Sequence, residues 1–186
     1  VPLFDFLLVS FIMYNNIKKV FLLRRISTFI ILYQTMAVKK MNVAIVGASG
    51  YGGIQLVSLL RNNPNYKINY LAGNKSAGLK WNLLFPFIKL TNDQIIQEIN
   101  TNAISDKCDV ALLSLPNGIS STITPELISK GIKVIDLSAD YRYKSLDKWK
   151  EVYSLEDKIY KRNDYDLCLQ SVYGLSEINF KEIKEA

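Results

Sequence analysis

The stretch Val43-Ala44-Ile45-Val46-Gly47-Ala48-Ser49-Gly50-Tyr51-Gly52-Gly53 limits what this chain can fold into more than any other. A continuous apolar run rich in β-branched residues suits a strand buried on both faces, and such strands belong to parallel sheets covered by helices. The run passes without a break into glycines at every third position, after which Ile54, Val57 and Leu60, with Leu56 and Leu59 beside them, follow at helical spacing. The glycines therefore stand where a strand turns into a helix.

A helix N-terminus carries unsatisfied N–H groups and the positive end of the helix dipole, so it binds phosphate if no side chain blocks the approach. Gly47 is expected to allow the tight turn, Gly50 the close approach of backbone to a pyrophosphate, and Gly53 the packing of helix on sheet. Ala48, Ser49, Tyr51 and Gly52 complete the stretch that would face a dinucleotide. The spacing is G-x-x-G-x-x-G, one residue longer in the turn than G-x-G-x-x-G. Glycines alone are a weak signal; the strand before and the helix after them point to dinucleotide binding.

After a turn cluster at Asn62-Asn63-Pro64-Asn65, a second strand over 67–72 ends in Gly73-Asn74-Lys75-Ser76-Ala77-Gly78. An NAD site normally places Asp or Glu there to hold the ribose hydroxyls, whereas a 2′-phosphate needs a cation. Lys75, with Asn74 and Ser76 as donors, points to NADP, the alternative being a solvated loop lysine. Residues 81–90 read as a loop or short strand packed over the sheet. Residues 93–104, with Ile95, Ile96 and Ile99 at helical spacing, read as the second helix. A strand over 109–115 then ends in Pro116-Asn117-Gly118, at the kind of strand end where α/β ligands bind, although the same residues simply make a good turn. A helix over 120–130 with Ile123, Leu127 and Ile128 inward stops at Gly131, and 132–137 is the next strand. The alternation gives an α/β fold with a doubly wound parallel sheet.

The 186 residues suffice for one domain of ordinary size, and the net charge of +6 is unevenly placed. Residues 1–40 hold six basic side chains against Asp5, leaving 17 basic and 16 acidic residues in the rest. The near-neutral remainder gives no support for a nucleic-acid-binding face. Residues 1–40 form an extension of doubtful status, rich in Phe, Leu, Ile and Val but broken by Asn15-Asn16-Ile17-Lys18-Lys19 and by Arg24-Arg25. Neither apolar piece reaches the roughly 18–20 residues that span a bilayer. The chain opens on Val1, and Met36 and Met41 stand just before the first strand. Three readings follow: translated upstream sequence or a misplaced start, an organellar targeting segment, or a membrane anchor. No membrane association is expected of residues 41–186.

Cys108 and Cys168 lie 60 positions apart with no CxxC, and the chain has no histidine. A zinc site or disulfide framework is not indicated, no metal is expected, and a reducing compartment is the default. Cys108 opens an apolar run and reads as a core thiol, while Cys168 reads as part of a polar loop without an activating neighbour. The missing histidine excludes a Cys-His or Ser-His dyad within these residues.

Asp136-Leu137-Ser138-Ala139-Asp140-Tyr141-Arg142, preceded by the glycine stretch at 47–53 and followed by Val172-Tyr173-Gly174-Leu175-Ser176-Glu177, resembles the N-acetyl-gamma-glutamyl-phosphate reductase family of arginine biosynthesis. The resemblance covers residues 41–186. Leu115-Pro116-Asn117-Gly118 corresponds to that family's Leu-Pro-His-Gly type loop, which adds Leu115, Pro116 and Gly118 to the cofactor-binding set of 47–53, Asn74 and Lys75. Where Gly52 stands the family commonly has Thr, where Ser176 stands it has Pro, and Lys75 replaces the usual Arg.

The resemblance implies a Rossmann-type NADP-binding domain over 41–145 and the beginning of an incomplete α+β catalytic domain over 146–186. It implies NADPH-dependent reduction of a small-molecule acyl phosphate, N-acetyl-glutamyl 5-phosphate, to the semialdehyde with release of phosphate. In such enzymes a cysteine thiolate forms a thioester that hydride reduces, and a histidine moves the protons. The sequence stops at Ala186, short of the family's Asn-Pro-Gly-Cys-Tyr-Pro-Thr segment, so no catalytic residue is assigned here, and Cys108 and Cys168 match no catalytic position. On the substrate side the resemblance places Ser138, Asp140, Arg142, Tyr173 and Glu177. It further implies a homo-oligomer for the complete enzyme, in the cytoplasm, or in a plastid or other organelle stroma if the extension is a targeting segment. An aspartate-semialdehyde dehydrogenase-like enzyme and a non-catalytic NADP-binding module are the alternatives.

Overall fold

The computed structural model describes residues 40–153 and 164–186, so the readings of residues 1–39 lie outside the described residues. Four strands, β1 (Met41–Val46), β2 (Tyr66–Ala72), β3 (Val110–Leu113) and β4 (Lys133–Asp136), pair in parallel in the order β2-β1-β3-β4. Parallel neighbours need crossover connections. The crossover from β1 to β2 is α1 (Tyr51–Leu60); α2 (Trp81–Leu84) and α3 (Thr101–Lys107) lie between β2 and β3, and α4 (Ser120–Ser129) joins β3 to β4. Beyond β4 come α5 (Leu146–Tyr153), α6 (Tyr165–Gln170) and α7 (Ser176–Glu185). The chain leaves β1 for β2 on one side and later returns to β3 on the other. This reversal leaves a crevice outside the carboxyl ends of β1 and β3.

Alternation along the strands divides the core between the two faces of the sheet. Val43 and Ile45 of β1 and Val110 and Leu112 of β3 pack with Val57 of α1, Trp81 and Ile96. Ala44, Val46, Ala111 and Leu113 pack with Ile104 of α3, Leu127 of α4 and Ile132. Burying one such aliphatic side chain contributes about 1.5–3 kcal/mol, which explains why β1 and β3 carry no polar residue between 43–46 and 110–113. A third cluster, Leu146, Trp149 and Cys168 with Tyr141, Tyr143 and Tyr153 against it, holds α5 and α6 together.

Four local expectations are corrected. Residues 93–100 are not helical: the backbone N–H of Gln97 donates to Leu71 O, that of Gly73 to Gln97 O, and Ala72 bridges Gln97 in parallel, so this segment extends along the free edge of β2. Ile96 is buried while Ile95 and Gln97 are exposed, which is strand alternation that three isoleucines at helical spacing disguised. The helix starts only at Thr101, where the Asn100 side chain accepts the Ala103 N–H as an N-cap.

Residues 81–90 form a helical turn, α2, followed by a loop, not a strand. Pro86 disfavours helix in the residue before it, and Trp81 is wholly buried with its indole N–H donating to Ile88 O. In α4, Ile123 and Leu127 face the core as expected, but Ile128 is exposed, and the buried stripe is Ser120, Ser121, Thr124 and Leu127. The helix ends as expected, with Gly131 at φ +77° and the Ile132 N–H reaching back to Leu127 O. Cys168 lies in α6 and is wholly buried, not in a polar loop. No helix among the described residues is long and apolar enough to cross a membrane.

Candidate dinucleotide site

The turn at 47–53 is assembled largely by backbone contact. The N–H groups of Gly47 and Ala48 both donate to Ala72 O, at 2.8 and 2.9 Å, which ties the exit of β1 to the exit of β2. Gly47 has φ +82°, and a Cβ built there would lie 2.1 Å from Ser114 O, at the exit of β3. A Cβ on Gly53 would lie 2.2 Å from Gly47 O and 2.6 Å from Ala48 Cα, so the first turn of α1 presses on the loop that leads into it. This differs in detail from packing on the sheet. At Gly52 the obstacle is the Ser114 hydroxyl at 2.5 Å, a group that can rotate away.

Gly50 is different. It is exposed, extended at φ −78° and ψ 165°, and its nearest neighbour to an added Cβ is Gly47 O at 3.4 Å. Nothing inside the protein requires glycine there. It is also the N-cap of α1, where it supplies no side-chain cap, and the first turn of α1 has no acidic residue. Among the described residues, the first N–H groups of this ten-residue helix thus have no side-chain acceptor, beneath a residue that has no side chain. Uncapped amides, the dipole and the open approach over Gly50 form a cradle suited to a pyrophosphate. Tyr51 is almost fully exposed beside it.

At the end of β2, Asn74 and Lys75 are exposed, and residues 73–80 contain no carboxylate. Ser76 is buried, and its hydroxyl lies 2.7 Å from that of Ser49, which joins the loop after β2 to the turn after β1. A Cβ on Gly73 would meet the same hydroxyls, at 2.7 Å for Ser76 and 3.4 Å for Ser49. The Ser49–Ser76 pair had no signal in the sequence beyond two serines near the two loops.

At the end of β3, the Ser114 N–H donates to Val46 O, after which Leu115 is half-buried, Pro116 exposed and Gly118 buried at φ +82°. This turn is held by side chains from the segment after β4. Asp140 is wholly buried and accepts the N–H of Gly118 at 2.6 Å and the N–H of Ser121 at 2.9 Å. Both oxygens of Asp140 are thus engaged by backbone amides inside the protein. The Asn117 side chain in turn accepts the Ala139 N–H at 3.0 Å.

Ser138 continues the same network, accepting the Asp140 N–H and donating its hydroxyl to Asp136 at 2.7 Å. Burial pushes the Asp136 carboxyl above the usual carboxylate range, with Asp140 adding to the effect and hydrogen bonds from Ser138 and Ser120 opposing it.

Arg142 is exposed and donates to the Tyr153 hydroxyl at 2.9 Å, with its guanidinium 6.0 Å from the Tyr153 ring centre and 5.9 Å from that of Tyr173. The structure therefore brings Arg142 and Tyr173 together. Glu177 is exposed in the first turn of α7, bonded to the Ser176 hydroxyl, and forms no ion pair with Arg142 among the described residues. Burial pushes the Cys108 thiol up to about 11, so it is a protonated core group at neutral pH.

A family model described as semialdehyde dehydrogenase, NAD binding domain, matches residues 42–186. N-acetyl-gamma-glutamyl-phosphate reductase from Prochlorococcus marinus subsp. pastoris is 66% identical over 146 residues, covering 78% of this chain and 42% of that protein. The enzyme of the same name from Prochlorococcus marinus strain MIT 9301 is 67% identical over 145 residues, covering 78% and 41%. The chain thus spans about two fifths of the length of these curated relatives. Among solved structures, aspartate semialdehyde dehydrogenase with NADP from Candida albicans matches with a TM-score of 0.49 at 24% identity, over 56% of this chain and 31% of that one.

Proposed function

Because the chain belongs to the semialdehyde dehydrogenase NAD-binding domain family, we propose that residues 41–145 are the NADPH-binding domain of an N-acetyl-gamma-glutamyl-phosphate reductase. Such an enzyme reduces the acyl phosphate to the semialdehyde and releases phosphate. The observation that carries the reading is the uncapped start of α1 beneath Gly50, on a turn where Gly47 and Gly53 leave no room for a Cβ. High identity to reductases of that name supports the substrate.

In this reading the amides of 50–53 hold the pyrophosphate, with Ala48 and Ser49 shaping the turn and Tyr51 flanking it. Asn74 and Lys75 take the 2′-phosphate, which the absence of a carboxylate in 73–80 favours. Leu115, Pro116 and Gly118 border the far end of the cofactor. When bound, the nicotinamide supplies hydride for the reduction of the acyl carbon. Arg142, its planar guanidinium already set near the rings of Tyr153 and Tyr173, is suited to a phosphate-bearing substrate, and the family resemblance adds Ser138, Tyr173 and Glu177 to the substrate side. Residues 146–186 belong with the substrate region. A homo-oligomer, and the cytoplasm or an organelle stroma, remain part of the same proposal.

Equilibrium titration of the 186-residue chain with NADPH and NADH tests the reading. NADPH is expected to bind at least roughly tenfold more tightly, a difference of about 1.4 kcal/mol. Equal affinity for the two, or no binding of either, would overturn it. A second arm follows from the chemistry of the residues present. No histidine occurs in the 186 residues and both thiols are buried, so the chain should bind cofactor without catalysing phosphate-dependent oxidation of the semialdehyde. Turnover abolished by Cys108→Ser or Cys168→Ser would contradict this.

A further inference from the structure

We propose that Asp140 is a positioning residue that sets where the nicotinamide half of the cofactor lies, by fixing the turn at 115–118; the inference rests on the NADPH reading above. Asp140 is wholly buried, and its two oxygens take the N–H groups of Gly118 and Ser121, 22 and 19 residues away. A carboxylate on two amides makes charge-assisted hydrogen bonds, and here it also sits at the positive end of α4. The residue at the N-cap of α4 is Ile119, which has no side chain able to cap. Asp140 therefore does from the segment after β4 what the N-cap residue of α4 does not do.

The tie runs in both directions, because Asn117 accepts the Ala139 N–H. It is anchored further back: the Asp140 N–H donates to Ser138, and Ser138 donates to Asp136, the last residue of β4. Two adjacent residues of the turn, Asn117 and Gly118, are thus fastened to two adjacent residues after β4, and these are fastened to the sheet.

The sheet order indicates which half of a dinucleotide this turn would meet. The ribose phosphate is read at the end of β2, and the pyrophosphate sits on the turn after β1. The order β2-β1-β3-β4 places β3 on the opposite side of β1 from β2, so the other half of an extended dinucleotide lies over the carboxyl ends of β3 and β4. A turn that shifts there displaces the nicotinamide while leaving the adenosine end untouched.

The test compares two ligands on the 186-residue chain: NADPH, and 2′-phospho-ADP-ribose, which lacks the nicotinamide. Asp140→Asn keeps the shape and one acceptor but turns an NH2 toward one of the two N–H donors. It is expected to weaken NADPH roughly tenfold and 2′-phospho-ADP-ribose less than about twofold, as expected for one unsatisfied buried donor. Asn117→Ala, which cuts the reverse tie at a half-buried site, should show the same split to a smaller degree, and it decides the matter if Asp140→Asn is not folded by circular dichroism.

Equal weakening of both ligands, or none, in a folded variant would reduce Asp140 to a structural residue and overturn the proposal. If the parent chain binds both ligands equally well, the turn positions nothing and the proposal fails while the NADPH reading stands. If it binds neither, both fall.

Discussion

The turns that follow β1 and β3 border the same crevice and are built by opposite means. The first is held by contact between main-chain atoms: wherever a side chain would begin at Gly47 or Gly53, another stretch of backbone already lies at 2.1–2.2 Å. The second is held by side-chain hydrogen bonds, from a carboxylate beyond β4 and from the turn's own Asn117 amide, at distances of 2.6–3.0 Å. The comparison separates two kinds of precision. Steric contact fails abruptly because backbone cannot move aside, whereas a polar tie weakens by degrees as donors and acceptors are exchanged.

The largest effect should come from the first turn. Gly53→Ala places a Cβ where Gly47 O and Ala48 Cα already are, and is expected to cost about 3 kcal/mol or more of stability, measured by chemical denaturation. A variant with the parent's midpoint would show that the turn can relax, and would erase the contrast. Gly50→Val sharpens it from within the same turn: the added Cβ meets nothing closer than 3.4 Å, so the fold should survive while NADPH affinity falls at least roughly tenfold. A folded variant with unchanged affinity would move the phosphate site elsewhere.

A smaller change is expected at the rim. Lys75→Glu sets a carboxylate against the 2′-phosphate and should weaken NADPH roughly tenfold more than NADH, with little effect on thermal stability because the side chain is exposed. Equal losses for the two cofactors would remove Lys75 from recognition.

The smallest effect tests the polar tie through pH. Asp136 holds its proton more tightly in the folded chain than in the unfolded one, chiefly through burial. Its stabilising contribution is therefore complete below the ordinary Asp value and lost as pH rises through the raised one. Relative to Asp136→Asn, which does not titrate, the parent chain should lose thermal stability with rising pH across that window. A difference that stayed flat, or grew in the parent's favour, would show that burial is not what governs this carboxyl.

What could be read from the sequence follows the same division. The parallel sheet, α1, and the stop of α4 at Gly131 were legible because apolar runs, helical spacing and glycines are local signals. Residues 93–100 were misread because Ile95, Ile96 and Ile99 fit a helical period, while their true partner, the edge of β2, lies outside any local window. The inner face of α4 was hidden because Ser120, Ser121 and Thr124 are polar residues turned inward; Thr124 donates to Ser120 O and Ser121 to Gly118 O. The bond from the Gly118 N–H to Asp140 was not legible, since no spacing rule connects residues 22 positions apart. Cys168 looked solvated among polar residues, yet one face of the short helix α6 packs on Trp149 and Leu146.

The double tie at Asp140 also has a consequence for how the chain opens and closes in water. Amides of loops and of first helical turns ordinarily trade their hydrogens for deuterium within moments, but those of Gly118 and Ser121 can be released only when the segment after β4 lets go. Their exchange should therefore keep time with the β3-α4-β4 unit and not with local opening of the turn and of the first turn of α4. In that sense the carboxylate makes a loop a cooperative part of the sheet's unfolding.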